Sequence, residues 1–272
     1  MHRSGRRFTC WSTRSTTSGS AIIGPIPPSG LVSCPWWVAS RWKAVVVTLP
    51  EDDFEVYDSE DSEAQISGVL DLFKPPQRVI DLGAGRGRVA LPLIEHGVEV
   101  LAVDRDAEAL DHSSWTEHAG LKRHQEDFLS PEASWFEQGP FDGVLCLGNT
   151  LNLVEDEARL EEIFQRAFSV LPVGGSFLID DFPVWGPEMI RSEWPLGISP
   201  DGTQQVVWAP GGRAFAYRTG GEVDSKRRFP EPRERLLHIW TIDELQKMAS
   251  RSGFRPAEHL EAALMIHFAR SD

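Results

Sequence analysis

The sequence predicts an α/β fold built on a doubly wound, Rossmann-like parallel sheet. From residue 78 onward, short apolar segments alternate with stretches long enough for helices, and this alternation is typical of parallel strands joined by crossover helices. A glycine-rich turn directly follows the first apolar segment. After residue 181 the pattern changes to clustered prolines and apolar–polar alternation, which predicts a small antiparallel β insertion after the fifth strand.

Composition limits the classes of protein to which the chain can belong. Of its 272 residues, 41 % are hydrophobic, which is enough to bury a full core. Cys10, Cys34 and Cys146 are too few and too scattered for a disulfide framework or a zinc site. We therefore expect no metal and a reducing, cytoplasmic setting. No run of about eighteen apolar residues occurs, so no membrane partner is expected.

The charge of the chain argues against a nucleic-acid partner. The formal net charge is −14, and without residues 1–50 the remaining 21 basic and 41 acidic side chains give −20. A surface of this kind repels phosphate backbones. We therefore expect no nucleic-acid partner.

Residues 1–45 are predicted to form a disordered extension, with the folded domain over residues 46–272. The extension is rich in Ser, Thr, Arg, Gly, Pro and Trp and has no helical or strand periodicity. The pair Arg6-Arg7 suggests twin-arginine export, but prolines interrupt residues 21–32, so no apolar export segment follows.

Periodicity predicts one helix and four strands before residue 181. Residues 62–73 carry Ile66, Val69, Leu70 and Phe73 at helical spacing. Short apolar segments at 79–82, 98–103, 141–147 and 176–179 predict the strands.

The last third of the chain is predicted to hold a hairpin, a helix and two strands. Residues 205–208 and 213–219 are joined by a Pro-Gly-Gly turn, which indicates the hairpin within the insertion over 182–240. Thr241 and Glu244 form a capping box for a helix through Ala249, with Gly253 as its stop. The final strands are expected near 255–260 and 264–269.

The glycine-rich turn, VIDLGAGRG at residues 79–87, carries the strongest functional signal. Glycines at every second position allow a sharp turn, close approach of a ligand to the backbone, and close packing of the next helix. A dinucleotide site places its third glycine one position later, where this chain has Arg88. The spacing therefore favours an S-adenosylmethionine loop over a nicotinamide or flavin loop.

An acidic residue ends the second predicted strand. Asp104 lies 17 residues beyond Gly87, and an ionised carboxylate there can accept hydrogen bonds from both hydroxyls of a ribose. Dinucleotide folds use an acid at the same place, so Asp104 supports the assignment only together with the glycine spacing.

With these motifs, the chain resembles the class I S-adenosylmethionine-dependent methyltransferases, particularly their small-molecule members, from Ala64 to the C-terminus. Residues 79–87 resemble the family's first motif and 141–150 its fourth, with Glu126-Asp127-Phe128 after the third strand. The loop at 171–175 has Val173 where a basic residue is usual. The closing helix, strand and strand are similar to the family's reversed sixth and seventh strands, so the resemblance implies a seven-stranded sheet.

The resemblance implies S-adenosyl-L-methionine as the cofactor. The residues expected to bind it are Asp81, Gly83, Ala84, Gly85, Gly87, Asp104, Arg105, Asp127, Phe128, Leu147, Gly148 and Asn149. Two of these assignments have structural alternatives, since Asp127 could cap a loop and Asn149 could satisfy the backbone at a strand end.

The implied function is methyl transfer to a small-molecule acceptor, with an amine nitrogen as one candidate, because residues 148–152 resemble the fourth-motif segment of small amine and amino-acid N-methyltransferases. The insertion over 182–240 is expected to bind the acceptor. The residues expected to contact the acceptor are Asn152, Trp185, Arg213 and Tyr217. Arg213 would either pair with a carboxylate of the acceptor or remain a solvated charge on the protein surface.

No catalytic residue is predicted, because methyl transfer from a sulfonium needs mainly alignment and desolvation. If the acceptor is an amine, a base is to be sought among Asp180, Asp181 and His238, and the sequence does not choose. The alternative functions are a nicotinamide-dependent oxidoreductase, disfavoured by Arg88 and the closing strands, and a non-catalytic cofactor-binding module.

Overall fold

The computed structural model describes residues 59–272 apart from residues 113 and 116. The predicted extension over residues 1–45 and the predicted start of the domain at residue 46 lie outside the described residues. In the part of the chain that is described, no helix has the length and apolar content to cross a bilayer.

A seven-stranded sheet in the order β3-β2-β1-β4-β5-β10-β9 forms the centre of the domain. Strands β1 to β5 are parallel, whereas β10 runs antiparallel to both of its neighbours, β5 and β9. The doubly wound, seven-stranded sheet is therefore confirmed, and of the two closing strands β10 is reversed whereas β9 has the direction of β5. The strands are β1 (Arg78–Leu82), β2 (Glu99–Asp104), β3 (Leu121–Gln125), β4 (Gly143–Cys146), β5 (Ser176–Asp180), β9 (Glu258–Leu260) and β10 (Met265–Ala269).

Helices cover both faces of this sheet, because successive strand residues point to opposite sides. In β1, Val79 packs with α1 and α2, whereas Ile80 packs with α4 and α6. The capping box of α6 is present as predicted, and Gly253 ends the helix at a φ of 100°. The helices around the sheet are α1 (Ser59–Leu72), α2 (Ala90–Glu95), α3 (Ala107–Leu110), α4 (Glu157–Val170) and α6 (Ile242–Ser252).

The insertion after β5 forms a helix and a separate three-stranded sheet in the order β6-β7-β8. The hairpin of β6 (Gln204–Trp208) and β7 (Ala214–Thr219) is confirmed, and β8 (Leu237–His238) adds a third strand. The sequence pattern did not predict α5 (Phe182–Glu193), which contains two prolines. Pro183 is tolerated because it lies in the first turn, where backbone N–H groups have no partner within the helix.

An aromatic cluster fastens α4 to the sheet. Phe164 of α4 is fully buried, and its ring centroid lies 5.1 Å from that of Phe177 in β5 and 5.2 Å from that of Phe268 in β10. Both pairs are edge-to-face, the arrangement that the charge distribution of aromatic rings favours.

Phe164→Ala should lower the free energy of unfolding by about 3–5 kcal/mol, since it leaves a cavity between α4 and the sheet. Phe229→Ala is the matched control, because Phe229 is 64 % exposed, and its effect should stay within about 0.5 kcal/mol. Urea unfolding followed by far-ultraviolet circular dichroism measures both. Equal losses in the two variants would show that the cluster does not hold α4.

Candidate active site

The glycine-rich loop connects β1 to α2 at the carboxyl edge of the sheet. The backbone N–H groups of Gly83 and Ala84 donate to the carbonyl of Val103, at 2.8 and 3.0 Å, and this ties the loop to β2. A Cβ on Gly83 would lie 2.6 Å from the side chain of Thr150, so the loop also packs closely on the segment after β4. Gly85 has a φ of 53° and would place a Cβ in open space. The loop thus leaves room for a ligand against its backbone.

Asp104 holds the centre of this loop. Its Oδ2 accepts the N–H of Gly85 at 2.8 Å, and its Oδ1 accepts the N–H of Asp106 at 2.9 Å. Each carboxylate oxygen has a second lone pair, so a ribose could still bind to the fixed carboxylate. The neighbouring Arg105 is exposed, and its carbonyl accepts a hydrogen bond from Gln125 at 3.4 Å.

Asp81 is a buried carboxyl group at the end of β1. Burial raises its pKa to about 7 against the opposing charge of Arg88, and the charges of Asp104 and Asp180 add to the rise. Three carboxyl groups thus act on one another at this edge, with one guanidinium group to balance them. Such a site favours a cationic ligand, since a positive charge would compensate the buried carboxylate.

Asp180, at the end of β5, links three parts of the domain. Its Oδ1 accepts the N–H of Gly148 and the amide of Gln65, both at 3.1 Å, and its Oδ2 accepts the N–H of Asn149 at 2.6 Å. Gln65 is fully buried in α1 and accepts a hydrogen bond from Arg88 at 2.5 Å. The Asp180 carboxylate therefore fixes the loop after β4, and α1 fixes the carboxylate.

The other two base candidates lie in different surroundings. Asp181 is buried, and its Oδ2 lies 2.9 Å from Nε2 of His259 on β9. His238 lies in β8, as expected for a strand residue, and its buried Nδ1 has no hydrogen-bond partner among the described residues. These contacts do not select one of the three as a base.

A narrow crevice separates the ends of β4 and β5 from the insertion. It encloses about 10 Å³, roughly the volume of one water-sized sphere. Asn149 adopts the left-handed conformation with a φ of 59°, and its Oδ1 is buried without a hydrogen-bond partner in the described part of the chain. The crevice is lined by Asn149, Leu151, Asn152, Ile179, Asp180, Pro183 and Trp240.

The remaining cofactor candidates have mainly structural contacts. The Oδ1 of Asp127 accepts the N–H of Leu129 at 3.0 Å, so Asp127 caps its loop, the alternative raised from the sequence. Phe128 is 5 % exposed and packs in the core on the α4 and α6 face. Leu147 is buried on the opposite face. Contact of these three side chains with a cofactor stays a prediction.

The four acceptor candidates are not brought together. Asn152 lines the crevice, whereas Tyr217 packs in the hydrophobic cluster inside the insertion. The side chain of Arg213 is 60 % exposed, so it lies at the protein surface. Its Nη2 lies 2.5 Å from Oε1 of Glu244, and its guanidinium carbon lies 5.8 Å from the centre of the Trp240 ring. Trp185 lies in α5, and its side chain is outside the described residues.

Sequence reasoning missed Gln65, Trp240 and His259. A signal existed for Gln65, because this polar residue shares a helical stripe with Val69 and Phe73, four and eight positions later. No such signal exists for Trp240 or His259, whose contacts join residues far apart in the chain.

Comparisons with known proteins find similarity to methyltransferases. A family model described as "Methyltransferase domain" matches residues 79–175. Glycine N-methyltransferase from Homo sapiens is 28 % identical over 120 residues, which cover 38 % of this chain and 40 % of that protein. Protein-L-isoaspartate O-methyltransferase from Methylorubrum extorquens is 34 % identical over 104 residues, which cover 37 % of this chain and 43 % of that protein.

The chain spans about two fifths of the length of these two curated relatives. A solved structure, the CcbJ methyltransferase from Streptomyces caelestis, covers 85 % of this chain and 98 % of its own, with a TM-score of 0.57 and 17 % identity. At that identity, the likeness shows the shared fold. None of these proteins supports the nicotinamide alternative.

Asp104→Ala should weaken binding of S-adenosylmethionine by roughly 1.5–3 kcal/mol, the range for hydrogen bonds to a charged group. Isothermal titration calorimetry measures the change, with the exposed Asp71 as the control in Asp71→Ala. Unchanged affinity in Asp104→Ala would remove Asp104 from the cofactor site.

Asp81→Asn should stabilise the ligand-free protein at high pH. The pKa of Asp81 is raised from 3.8 to about 7, so the folded state binds a proton that the unfolded state has already lost. Stability therefore falls as pH rises between those values, by on the order of 2–4 kcal/mol at the upper end. Asn carries no charge and avoids this loss.

Thermal unfolding of Asp81→Asn and wild type, each at about pH 5 and about pH 8, tests this expectation. The variant should melt above wild type at the higher pH, and the difference should shrink at the lower one. Asp71→Asn should show no such dependence. If the difference in melting temperature between the variant and wild type did not change with pH, Asp81 would not be a buried carboxyl group with a raised pKa.

Proposed function

We propose that this chain is a class I S-adenosylmethionine-dependent methyltransferase and that it methylates an amine nitrogen of a small acceptor. The amino group would enter the crevice between Asn149, Asn152 and Trp240. The observation that carries the proposal is the buried Oδ1 of Asn149, which has no partner among the described residues and belongs to a residue that lines that crevice.

The residues present suit the cofactor of this family. Gly85 leaves open space at the loop, and Asp104 is held beside it by a hydrogen bond. Asp81 is a buried carboxyl group whose ionised form a positively charged ligand would stabilise. S-adenosylmethionine carries a sulfonium and an ammonium group, and when bound it supplies an electrophilic methyl group. We propose that these residues hold it at the carboxyl edge of the sheet, where open α/β folds bind their ligands.

The crevice suits an amino group. Buried acceptor oxygens in proteins are almost always hydrogen-bonded, so Asn149 would accept an N–H from the incoming acceptor. A neutral amide oxygen favours the protonated ammonium form less than a carboxylate does. The carboxyl group of Asp180 also lines the crevice, but its oxygens already accept the N–H groups of Gly148 and Asn149 and the amide of Gln65. The amine therefore keeps the lone pair that attacks the methyl carbon while the carbon–sulfur bond breaks toward sulfur.

The size and borders of the crevice support a small acceptor. It has room for a terminal amino group. Pro183 near the start of the insertion and Trp240 at its end both line it, so residues 182–240 are well placed to bind the rest of the acceptor. Closure by these residues would also exclude water from the reacting pair.

The curated relatives support methyl transfer but do not decide the acceptor atom. One is named as an N-methyltransferase and the other as an O-methyltransferase. The choice of nitrogen rests on Asn149.

We also propose that the enzyme is cytoplasmic, that its domain covers residues 46–272, and that residues 1–45 are a dispensable extension.

Asn149→Gly should retain cofactor binding and lose about 10- to 100-fold in kcat/KM with an amine acceptor, the equivalent of one buried hydrogen bond. Glycine tolerates the left-handed backbone, and the hydrogen bond from the backbone N–H to Asp180 does not depend on the side chain. Asn149→Asp is the conservative comparison, and its pH optimum should rise because a carboxylate stabilises the ammonium form.

Purified protein assayed with a panel of primary and secondary amines, alcohols, phenols and carboxylic acids provides the measurement. Turnover of hydroxyl compounds and not of amines would overturn the choice of nitrogen. Tight cofactor binding with no turnover of any class would favour the non-catalytic module.

A further inference from the structure

We propose that the insertion carries a second binding site, for a small anion with an aromatic body, at the end of α5 that lies away from the cofactor edge. A cavity of about 360 Å³ opens there, lined by three arginines and two tryptophans together with aliphatic residues of α5 and β6. Its volume is within the range of small-molecule sites, roughly 300–1,000 Å³.

All polar side chains that line the cavity are hydrogen-bond donors. They are the guanidinium groups of Arg191, Arg227 and Arg228 and the indole N–H groups of Trp194 and Trp208. Trp194 is 5 % exposed, and its buried Nε1 has no hydrogen-bond partner in the described part of the chain. A lining that only donates is complementary to a ligand rich in acceptors, such as a carboxylate or a phosphate.

The charge at the cavity is opposite to that of the protein, whose formal net charge is −14. Arg227 is already paired, with Glu231 at 2.8 Å and Asp224 at 3.4 Å. Arg228 is exposed and has no ion pair or hydrogen bond within the residues described. Arg191 donates to the carbonyl of Gly212 at 2.9 Å. Arg191 and Arg228 therefore leave positive charge that no lining carboxylate cancels.

One wall of the cavity suits a flat ring. The guanidinium carbon of Arg191 lies 4.5 Å from the centre of the Trp208 ring, and the Trp208 ring lies 5.5 Å from that of Phe215. A guanidinium group this close to an indole ring offers two planar groups against which an aromatic ligand can pack. The ligand class is therefore an aromatic carboxylate or an aromatic phosphate.

The cavity is separate from the cofactor edge and from the crevice. Helix α5 begins directly after Asp181 and has 12 residues, so its ends are roughly 18 Å apart. The cavity lies beside Ile190 and Trp194 at the far end, and beside β6, the outer strand of the insertion sheet. A ligand there would leave both other sites open.

Titration of the full chain, saturated with S-adenosylhomocysteine, with phenyl phosphate and with benzoate tests the proposal. Benzyl alcohol serves as the uncharged probe and inorganic phosphate as the probe without a ring. Calorimetry should show binding of at least one aromatic anion, with both control probes about tenfold weaker or more. Comparison of phenyl phosphate with benzoate decides between phosphate and carboxylate.

Arg228→Gln should weaken the better anion by about tenfold and leave the melting temperature unchanged, because Arg228 is exposed. Arg233→Gln is the matched control, on an exposed arginine that does not line the cavity. Arg191→Lys keeps the positive charge but removes the planar guanidinium group. It should weaken the binding of the aromatic anions more than the binding of inorganic phosphate.

Several results would overturn the site. Absence of binding by both aromatic anions, equal affinity for benzyl alcohol, or an unchanged affinity in Arg228→Gln would each do so. Anion binding that occurs only in the cofactor-free protein and is lost once S-adenosylhomocysteine is added would also overturn it, because it would place the anion at the cofactor edge.

Discussion

The geometry of the candidate site depends on the hydrogen bonds that the carboxylate of Asp180 accepts. It ends β5 and receives the backbone N–H groups of Gly148 and Asn149, so it fixes the segment after β4 in its left-handed turn. That segment in turn limits the glycine loop through the contact of Thr150 with Gly83. The same turn directs the side chain of Asn149 to the crevice. One buried carboxyl group therefore determines the relative position of the glycine-rich loop and the crevice.

The acidic side chains at the carboxyl edge of the sheet are not balanced by basic ones, and this lowers the stability of the folded protein. Asp81 is deeply buried beside two other acidic residues, and Arg88 is the cation that acts on it. A core optimised for stability alone would replace such a group with an apolar residue. A site that must attract a cationic ligand has a reason to retain it, because binding supplies the missing positive charge.

Local patterns predicted most of the main sheet and the glycine-rich loop beside the candidate site. The buried strands β4 and β5 were visible as apolar runs, and α6 was visible through its capping box, whereas the edge strand β3 has mostly exposed polar residues and gave no pattern. The glycine loop and Asp104 were found because their spacing is local. The hydrogen bond of Gln65 to Asp180 spans 115 positions, and no pattern in one sequence reveals such a pair. Aromatic residues of the insertion were expected at the acceptor, but Tyr217 fills the insertion's own core, and composition cannot distinguish these two uses.

The two ends of the insertion meet at one crevice, since Pro183 and Trp240 both line it. The insertion also has its own hydrophobic cluster, built from residues of α5, β6, β7 and β8. A segment that is packed within itself and joined to the body at neighbouring points is a replaceable module, because the main sheet closes without it through β10 and β5. Under the proposed acceptor role of the insertion, exchange of this segment between related chains would let acceptor preference diverge while the main sheet and its carboxyl edge stay the same.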